Sequence, residues 1–466
     1  MDIVQASAAE ILAALRNRSL SAEALMAQTL DRIAATNGDV NAIVALRERD
    51  ELMAEARAAD AATGDRGALH GFPIAVKDLV FTKGIRTTMG SPVFADFVPE
   101  TDDILAERLR AAGAILIGKT NVPEFGLGSH TFNPVYGPTR NPYDLGRSAG
   151  GSSGGSAAAL ATRMLALADG SDMMGSLRNP AAWNNVYGFR PSWDVVPMDP
   201  RGETFISQLA TLGPMARSPE DIAILLDVIA GPDKRVPHGR PWQKVSPLQP
   251  ADLSGLRVGW LGDWGGSLPM EDGVMDTCRA TLDVLRDLGA VVEDLDPPFD
   301  MDDIWQSWIG LRSTAVAGLA DILGDKLSLT KETAQWEVNR GIKVTALEIH
   351  RLSLIRSRWY TKAAELFDDY DVLIMPSAQM WPFDVTLDYP REVAGVEMDT
   401  YHRWMQVVVP AGLIGLPVLA APSGFGENGL PMGVQMIGAN GSDARLLAIG
   451  ATYHDATRWP QKHPPS

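Results

Sequence analysis

Apolar positions along this 466-residue chain fall first into helical spacing and then into alternating strand and helix signals. Ser7-Ala8-Ala9-Glu10 has capping-box spacing and predicts a helix through about residue 16. Leu25, Thr29, Leu30 and Ile33 share one face of a second helix predicted over 22–35, and an Ala-, Glu- and Arg-rich run predicts a third over 42–61. The character then changes. Residues 72–80 read as a buried strand with the charged pair Lys77-Asp78 inside it. An amphipathic helix over 102–112 is closed by Gly113 and followed by a strand over 114–117.

Further along, 157–168 reads as an Ala-rich helix, and 190–216 is irregular and suits the rim of a site. Residues 233–252, rich in Pro and charge, read as a surface excursion. A strand–helix–strand unit is predicted over 256–261, 271–288 and 291–293, then long helical segments to about 367 and a strand over 371–375. Strands over 418–421 and 432–437 flank Glu427-Asn428-Gly429, a strong hairpin signal, and 445–453 forms a closing helix. Alternation of this kind implies an α/β sheet with helices on its faces, and the length admits one large domain or two or three average ones.

Composition narrows the function. An apolar content of 45% supplies a sizeable core, and a net charge of −17 disfavours nucleic acid and anionic membrane surfaces as partners. Cys278 is the only cysteine, so neither an intrachain disulfide nor a multi-cysteine metal site is possible, and a reducing, cytoplasmic location is expected. The N-terminus lacks a signal-peptide pattern, and no apolar run of about 18 residues predicts a membrane span. Seven scattered His residues offer no ligand spacing, so no metal is expected.

Several motifs yield to context. Gly113 to Thr120 matches the phosphate-loop pattern letter for letter, but its middle residues read as a strand and cannot curl around a phosphate. The run Gly151-Ser152-Ser153-Gly154-Gly155 matches a nucleophile elbow only loosely, since the polar, turn-forming residues 141–149 supply no buried strand before it. His350, His402 and His454 have no setting that marks a base and read as surface or partly buried residues. Cys278 sits at core spacing on a helix and reads as a small buried hydrophobe.

Lys77 is different. The chain has ten Lys against 31 Arg, and this one interrupts an apolar strand. Burial penalises the ammonium form, so such a Lys either pairs with a carboxylate or becomes a base near neutral pH. Asp78 cannot be its same-face partner, because adjacent strand residues point to opposite faces. Sequence alone leaves both readings open.

Lys77 in Ala-Val-Lys-Asp, the Gly-Gly-Ser-Ser-Gly-Gly-Ser run from Gly150, and Gly175-Ser176-Leu177-Arg178-Asn179-Pro180-Ala181 together resemble the amidase signature family. Gly118-Lys119-Thr120-Asn121, the run from Gly137 to Pro142 and Gly429-Leu430-Pro431-Met432-Gly433 add to the likeness, which is weakest between about 233 and 370. The resemblance implies an α/β fold of one large domain, a mixed twisted sheet sandwiched by helices, made of a helical layer (1–62), a catalytic core (63–230), a helical and strand insert (231–370) and a C-terminal part of the core (371–466). It also implies that Ser176 is the nucleophile, Ser152 a bridging serine in a cis peptide, and Lys77 the base. It further implies a cofactor-free acyl-enzyme mechanism, with the N–H groups of Met173, Met174, Gly175 and Ser176 as oxyanion hole. Gly126, Ser152, Met173 and Met174 fall at substrate-binding positions. One departure stands out: Met174 occupies a place where the family usually carries Gly. A positive φ there would strain Met.

The expected activity is hydrolysis of a carboxamide-type C–N bond in a small-molecule amide, anilide or carbamate. Aromatic segments around Trp305, Trp359, Trp381 and Trp404 offer either an apolar mouth for an aryl or alkyl group or ordinary core packing. Asp172 and Arg178 are expected to pair and fix the loop before Ser176. The rivals are an ester or carbamate hydrolase of the same mechanism, a glutamine-dependent amidotransferase component of the A type, and a non-catalytic binding protein on the same fold. A homodimer is compatible with each.

Overall fold

Ser7 accepts the Glu10 N–H while the Glu10 carboxylate accepts that of Ser7, so the predicted capping box opens α1 (Ala8–Arg16). The computed structural model describes residues 2–64 and 66–465. Helix α2 (Ala22–Val40) runs past its predicted end and stops at Asn41, whose φ is +52°. The predicted third helix does not start at 42. The Asn37 side-chain carbonyl accepts the N–H groups of Ala42 and Ile43, which turns the chain into the short strand β1 (Ile43–Val44); α3 (Arg49–Ala61) begins later.

Strand β2 (Pro73–Lys77), helix α4 (Ile104–Ala111) and strand β3 (Ile115–Thr120) form a parallel crossover unit. With β1 they make a three-stranded sheet in the order β1-β3-β2. The segment that matches a phosphate loop is therefore strand, as its context required. An exposed ribbon of β4 (Arg140–Asn141) and β5 (Asp144–Ser148) precedes the Gly-Ser run, so a strand does lie there, but at the surface. Helix α5 (Gly154–Ala161) is shorter than predicted. Arg163 turns the chain with φ +64°, and Leu167 opens strand β6 (Leu167–Asp172).

After the short helix α6 (Asn179–Trp183) come β7 (Tyr187–Arg190) and β8 (Thr211–Ala216). The segment predicted as irregular thus ends in a sheet strand. Gly213 and Pro214 hide it in the sequence, and Gly213 is needed because a Cβ there would lie 2.2 Å from the Phe189 carbonyl oxygen. Then follow α7 (Pro219–Ile229) and the predicted unit β9 (Arg257–Trp260), α8 (Val274–Asp287) and β10 (Val291–Asp294), whose strands are parallel. The 233–252 excursion carries no helix or strand.

Helices α9 (Met301–Ala317), α10 (Leu319–Leu323), α11 (Glu332–Gly341) and α12 (Ala346–Asp369) precede β11 (Val372–Pro376). A small ribbon, β12 (Glu392–Val393) with β13 (Val396–Glu397), and helix α13 (Val409–Leu413) lead to the predicted hairpin of β14 (Val418–Phe425) and β15 (Pro431–Ile437). Helix α14 (Asp443–Thr457) packs against β14, and the short helix α15 (Trp459–Lys462) follows it. The main sheet has eight strands in the order β10-β9-β11-β15-β14-β7-β8-β6, parallel only at β10-β9-β11. It is a single domain with a large mixed sheet between helices.

The aromatic segments resolve toward packing. Trp305, Trp308, Trp359 and Trp404 are buried, and Trp183 stacks on Trp404 with ring centroids 5.7 Å apart. His402 is also fully buried, not a surface residue, with its Nδ1 beside the Thr400 hydroxyl. His350 is exposed, and Cys278 is buried on α8 as expected.

Candidate active site

The small sheet and the edge of the large one meet at Lys77. It ends β2, and its buried ammonium nitrogen donates to three hydroxyls: Ser152 Oγ and Ser153 Oγ at 2.8 Å and Ser171 Oγ at 2.9 Å. No carboxylate is hydrogen-bonded to that nitrogen among the described residues. Burial pushes the amine down to about 7, against the opposing pull of Asp169 and Asp172. A Lys at that value exchanges its proton near neutral pH.

Ser152 follows a cis Gly151–Ser152 peptide and starts the tight entry into α5. Ser129 Oγ holds the Gly151 carbonyl at 2.6 Å and the Asn179 side-chain oxygen at 2.8 Å, which ties this turn to α6. The density of glycine here has a steric cause: a Cβ at Gly154 would lie 2.3 Å from Thr131 Oγ1, and one at Gly155 2.3 Å from the Asn121 nitrogen.

Ser176 sits in the turn between β6 and α6. That turn is shaped by Asp172, which accepts the Gly175 N–H at 2.9 Å and the Leu177 N–H at 3.0 Å. Arg178 closes on the same carboxylate with two hydrogen bonds of 2.9 Å, and Arg190 lies 3.5 Å away. All three side chains are fully buried. Burial raises the Asp172 carboxyl, but the two guanidiniums and the Leu177 N–H outweigh it and hold the group at about 2. The remaining guanidinium edge of Arg178 binds the Val408 carbonyl and Gln435. The expected pairing of Asp172 with Arg178 is therefore present, with Arg190 and Gln435 as unforeseen supports.

Met174 does not adopt the strained conformation considered from the sequence. The left-handed residue is Gly175, at φ +79°, and a Cβ on it would press within 2.8 Å of Val408. Met174 is buried in the core, while Met173 is half-buried with its sulfur 3.3 Å from Arg312 Nη1. Of the four N–H groups expected to form an oxyanion hole, that of Gly175 is engaged by Asp172. Those of Met173, Met174 and Ser176 have no acceptor among the described residues. Gly126 approaches Ser152: its missing Cβ would lie 3.5 Å from Ser152 Oγ and 2.8 Å from Leu79 Cδ1. Beyond it opens a cleft of about 250 Å³ lined by Leu127, Gly128, Ser129, Tyr389, Tyr401 and Trp404, among others.

The sites named from the sequence are thus neighbours in part. Lys77 meets Ser152, and Gly126 flanks Ser152, whereas no hydrogen bond joins Ser152 Oγ to Ser176 Oγ in this conformation. Sequence reading missed Ser153 and Ser171 on Lys77, and it missed Lys119. That buried Lys on β3 donates to the Val80 carbonyl and, at 2.7 Å, to Thr82 Oγ1. The signal was available, because Lys119 interrupts an apolar strand just as Lys77 does. Among the described residues no cluster of His, Cys, Asp and Glu could hold a metal ion.

The family model described as Amidase matches residues 24–447. The chain belongs to the amidase family. It is 31% identical to an acylamidase of Rhodococcus erythropolis over 98% of this chain and 97% of that protein. It is 35% identical to a glutamyl-tRNA(Gln) amidotransferase subunit of Nitratidesulfovibrio vulgaris, over 95% of each. The solved structure of a bacterial aryl acylamidase of the amidase signature family superposes with a TM-score of 0.92 at 26% identity, covering 100% of both chains. This amidase is an amide-hydrolysing enzyme with the amidase signature fold. No helix of its described residues is long and apolar enough to cross a membrane.

Proposed function

We infer that this amidase cleaves the C–N bond of a small-molecule acyl amide through a serine acyl-enzyme, with Ser176 as nucleophile, Ser152 as relay and Lys77 as base. The observation that carries the reading is the 2.8 Å contact between a fully buried Lys77 amine and Ser152 Oγ. A neutral amine has two hydrogens and one lone pair, so among three hydroxyl neighbours one must donate to it. Of the three, Ser152 is the one that the resemblance to the family implies as the bridge to Ser176. In the reaction Lys77 takes the Ser152 proton as Ser152 takes that of Ser176, and the Ser176 oxygen bonds to the carbonyl carbon. The oxyanion is received by the N–H groups of Met173, Met174 and Ser176. The ammonium of Lys77 then returns its proton through Ser152 to the leaving amine. Water repeats the cycle on the acyl-enzyme. The missing Ser152–Ser176 hydrogen bond is one that forms when a carbonyl enters, as catalytic hydrogen bonds tighten in the substrate complex.

The space left by Gly126 beside Ser152, and the aromatic walls Tyr389, Tyr401 and Trp404 of the adjoining cleft, which Lys331, Glu332, Asp388 and Arg391 also line, support an aryl or alkyl group on the substrate. An anilide, carbamate or ester carbonyl meets the same relay. A reducing, cytoplasmic setting suits the single buried Cys278. The 35% identity to a component of a tRNA-dependent amidotransferase favours a second reading, glutaminase activity within a larger complex.

The test is labelling by a serine-directed fluorophosphonate in wild type and Ser176→Ala, beside hydrolysis of anilide, carbamate, ester and glutamine substrates. Loss of labelling and turnover in Ser176→Ala, with anilide turnover by the isolated chain, is expected. Undiminished labelling in Ser176→Ala overturns the nucleophile, and turnover of glutamine alone supports the second reading.

A further inference from the structure

Asp169 and Ser171 stand two residues apart on β6, so their side chains leave the same face of the strand. Both reach Lys77. Ser171 Oγ accepts from the Lys77 ammonium nitrogen, and Asp169 Oδ1 accepts the Lys77 main-chain N–H at 2.9 Å. Asp172, on the opposite face, serves the nucleophile turn. One short strand thus grips the base with one face and the nucleophile loop with the other. Asp169 is fully buried, and its second oxygen, Oδ2, has no hydrogen-bond partner among the described residues.

A buried carboxylate with an unmet oxygen is costly unless charge elsewhere compensates it. The charged groups linked to Lys77 in this cluster are Lys119 on β3, Asp78 after β2, Asp169 and Asp172 on β6, Arg178 in the nucleophile turn, Arg190 on β7, and, beside Lys119, Asp103 before α4 with its partner Arg201. Lys119 faces Asp78, and the two guanidiniums face Asp172. With Lys77 neutral and Asp78, Asp103, Asp169 and Asp172 ionised, these anions equal in number the cations Lys119, Arg178, Arg190 and Arg201; Asp169 is the anion that makes them so. When Lys77 takes a proton, the cluster gains one positive charge, and the carboxylate beside it limits the cost. Burial pushes the Asp169 carboxyl up to about 6, opposed by the Lys77 N–H and by Lys77 and Lys119, so it is ionised where the amine works.

We propose that Asp169 is a positioning residue for the base: it anchors the Lys77 main chain and supplies the counter-charge for the proton that Lys77 carries during acyl transfer. The proton comes from Ser176 by way of Ser152 as the Ser176–carbonyl bond forms, and it leaves to the amine as the C–N bond breaks. Asp169 itself neither gains nor loses it. The proposal rests on Lys77 being the base.

The experiment is Asp169→Asn, read as the pH profile of kcat/KM and of the rate of fluorophosphonate labelling of Ser176. The acidic limb of both profiles is expected to move down by about one pH unit, a tenfold change in the proton affinity of Lys77. Maximal acylation is expected to fall by about tenfold, as the less basic Lys77 draws the proton less strongly. A limb that stays in place while the maximum falls assigns Asp169 a purely structural role and overturns the proposal. Should the Asn variant not fold, coupling is reciprocal and is read from the other side. In Lys77→Ala with 13C-labelled aspartate carboxyls, the midpoint of one buried Asp that titrates near 6 in wild type is expected to rise, and unchanged midpoints overturn the proposal. A Lys77→Ala enzyme that keeps wild-type labelling with its pH dependence refutes Lys77 as base, a result distinct from an unmoved limb in Asp169→Asn.

Discussion

Arg178 grips Asp172 through two hydrogen bonds of 2.9 Å, with both side chains fully buried, directly beneath the turn that carries Ser176. Because the same carboxylate also takes the N–H groups of Gly175 and Leu177, it sets the backbone on either side of Ser176. Asp172→Asn keeps the shape but leaves Arg178 and Arg190 without their anion. Breaking a buried pair from one side costs about 3–5 kcal/mol. Urea unfolding is expected to show a loss of that order, together with slowed labelling of Ser176. Arg178→Lys is expected to be almost as harmful, since an ammonium cannot make the paired contact.

Lys77 predicts two pH effects. For activity, kcat/KM is expected to rise with pH through about 7 as the amine loses its proton, and Lys77→Ala to lose about 10²–10⁴-fold. For stability the sign follows from proton counts. The native amine titrates at about 7 and the unfolded one at its ordinary 10.5, so between these values the unfolded chain binds the extra proton. Stability from this group therefore rises with pH across that window. The gain in urea midpoint from pH 7 to pH 9 is expected to be larger in wild type than in Lys77→Ala, and equal gains would contradict the burial of a titrating amine.

Met174 stands where the resemblance to the family implies a glycine, and the structure gives that residue a core position. Met174→Gly therefore does not relieve strain. It empties buried volume, for which truncations of Met to Ala give about 2–5 kcal/mol. A lowered melting temperature is expected, and a variant as stable as wild type would mean that Met174 packs against nothing of consequence.

The legible part of this molecule was local. Ser7 with Glu10, the Asn428-Gly429 hairpin and the strand–helix–strand unit of β9, α8 and β10 each declare themselves through residues close in sequence. The failures share a cause, namely contacts from afar or single residues in unusual backbone. Asn37 reaching over Ala42 and Ile43 turned the start of a predicted helix into a strand, and Arg163 in the left-handed region cut α5 short. Strand β8 was concealed by a glycine whose reason is the Phe189 carbonyl on the neighbouring strand. In the site, Lys77 was visible as a charge inside an apolar strand, and Ser152 and Ser176 through the family's motifs. Asp169 and Ser171 were not, because nothing in their own strand announces what β2 brings against them.

The last expectation concerns what steers Met173. Arg312 on α9 pairs with Glu337 on α11 at 2.5 Å, and Tyr401 joins both, its hydroxyl donating to Glu337 at 2.5 Å and accepting from Arg312 at 3.0 Å. The three are buried, and the free edge of the guanidinium meets the Met173 sulfur. Arg312→Ala alone strands the Glu337 charge and is expected to cost about 3–5 kcal/mol, which would mask any effect on substrate choice. Replacing the set together, Arg312→Met with Glu337→Leu and Tyr401→Phe, removes every charge and hydroxyl of the three at once. Such exchanges are often neutral or stabilising by about 1–4 kcal/mol. The triple variant is therefore expected to melt at or above the wild-type temperature while its ranking of short and bulky acyl substrates changes through KM, because Met173 loses its polar contact with Arg312. A triple variant with wild-type KM values across such a series would show that Met173 holds its place without Arg312.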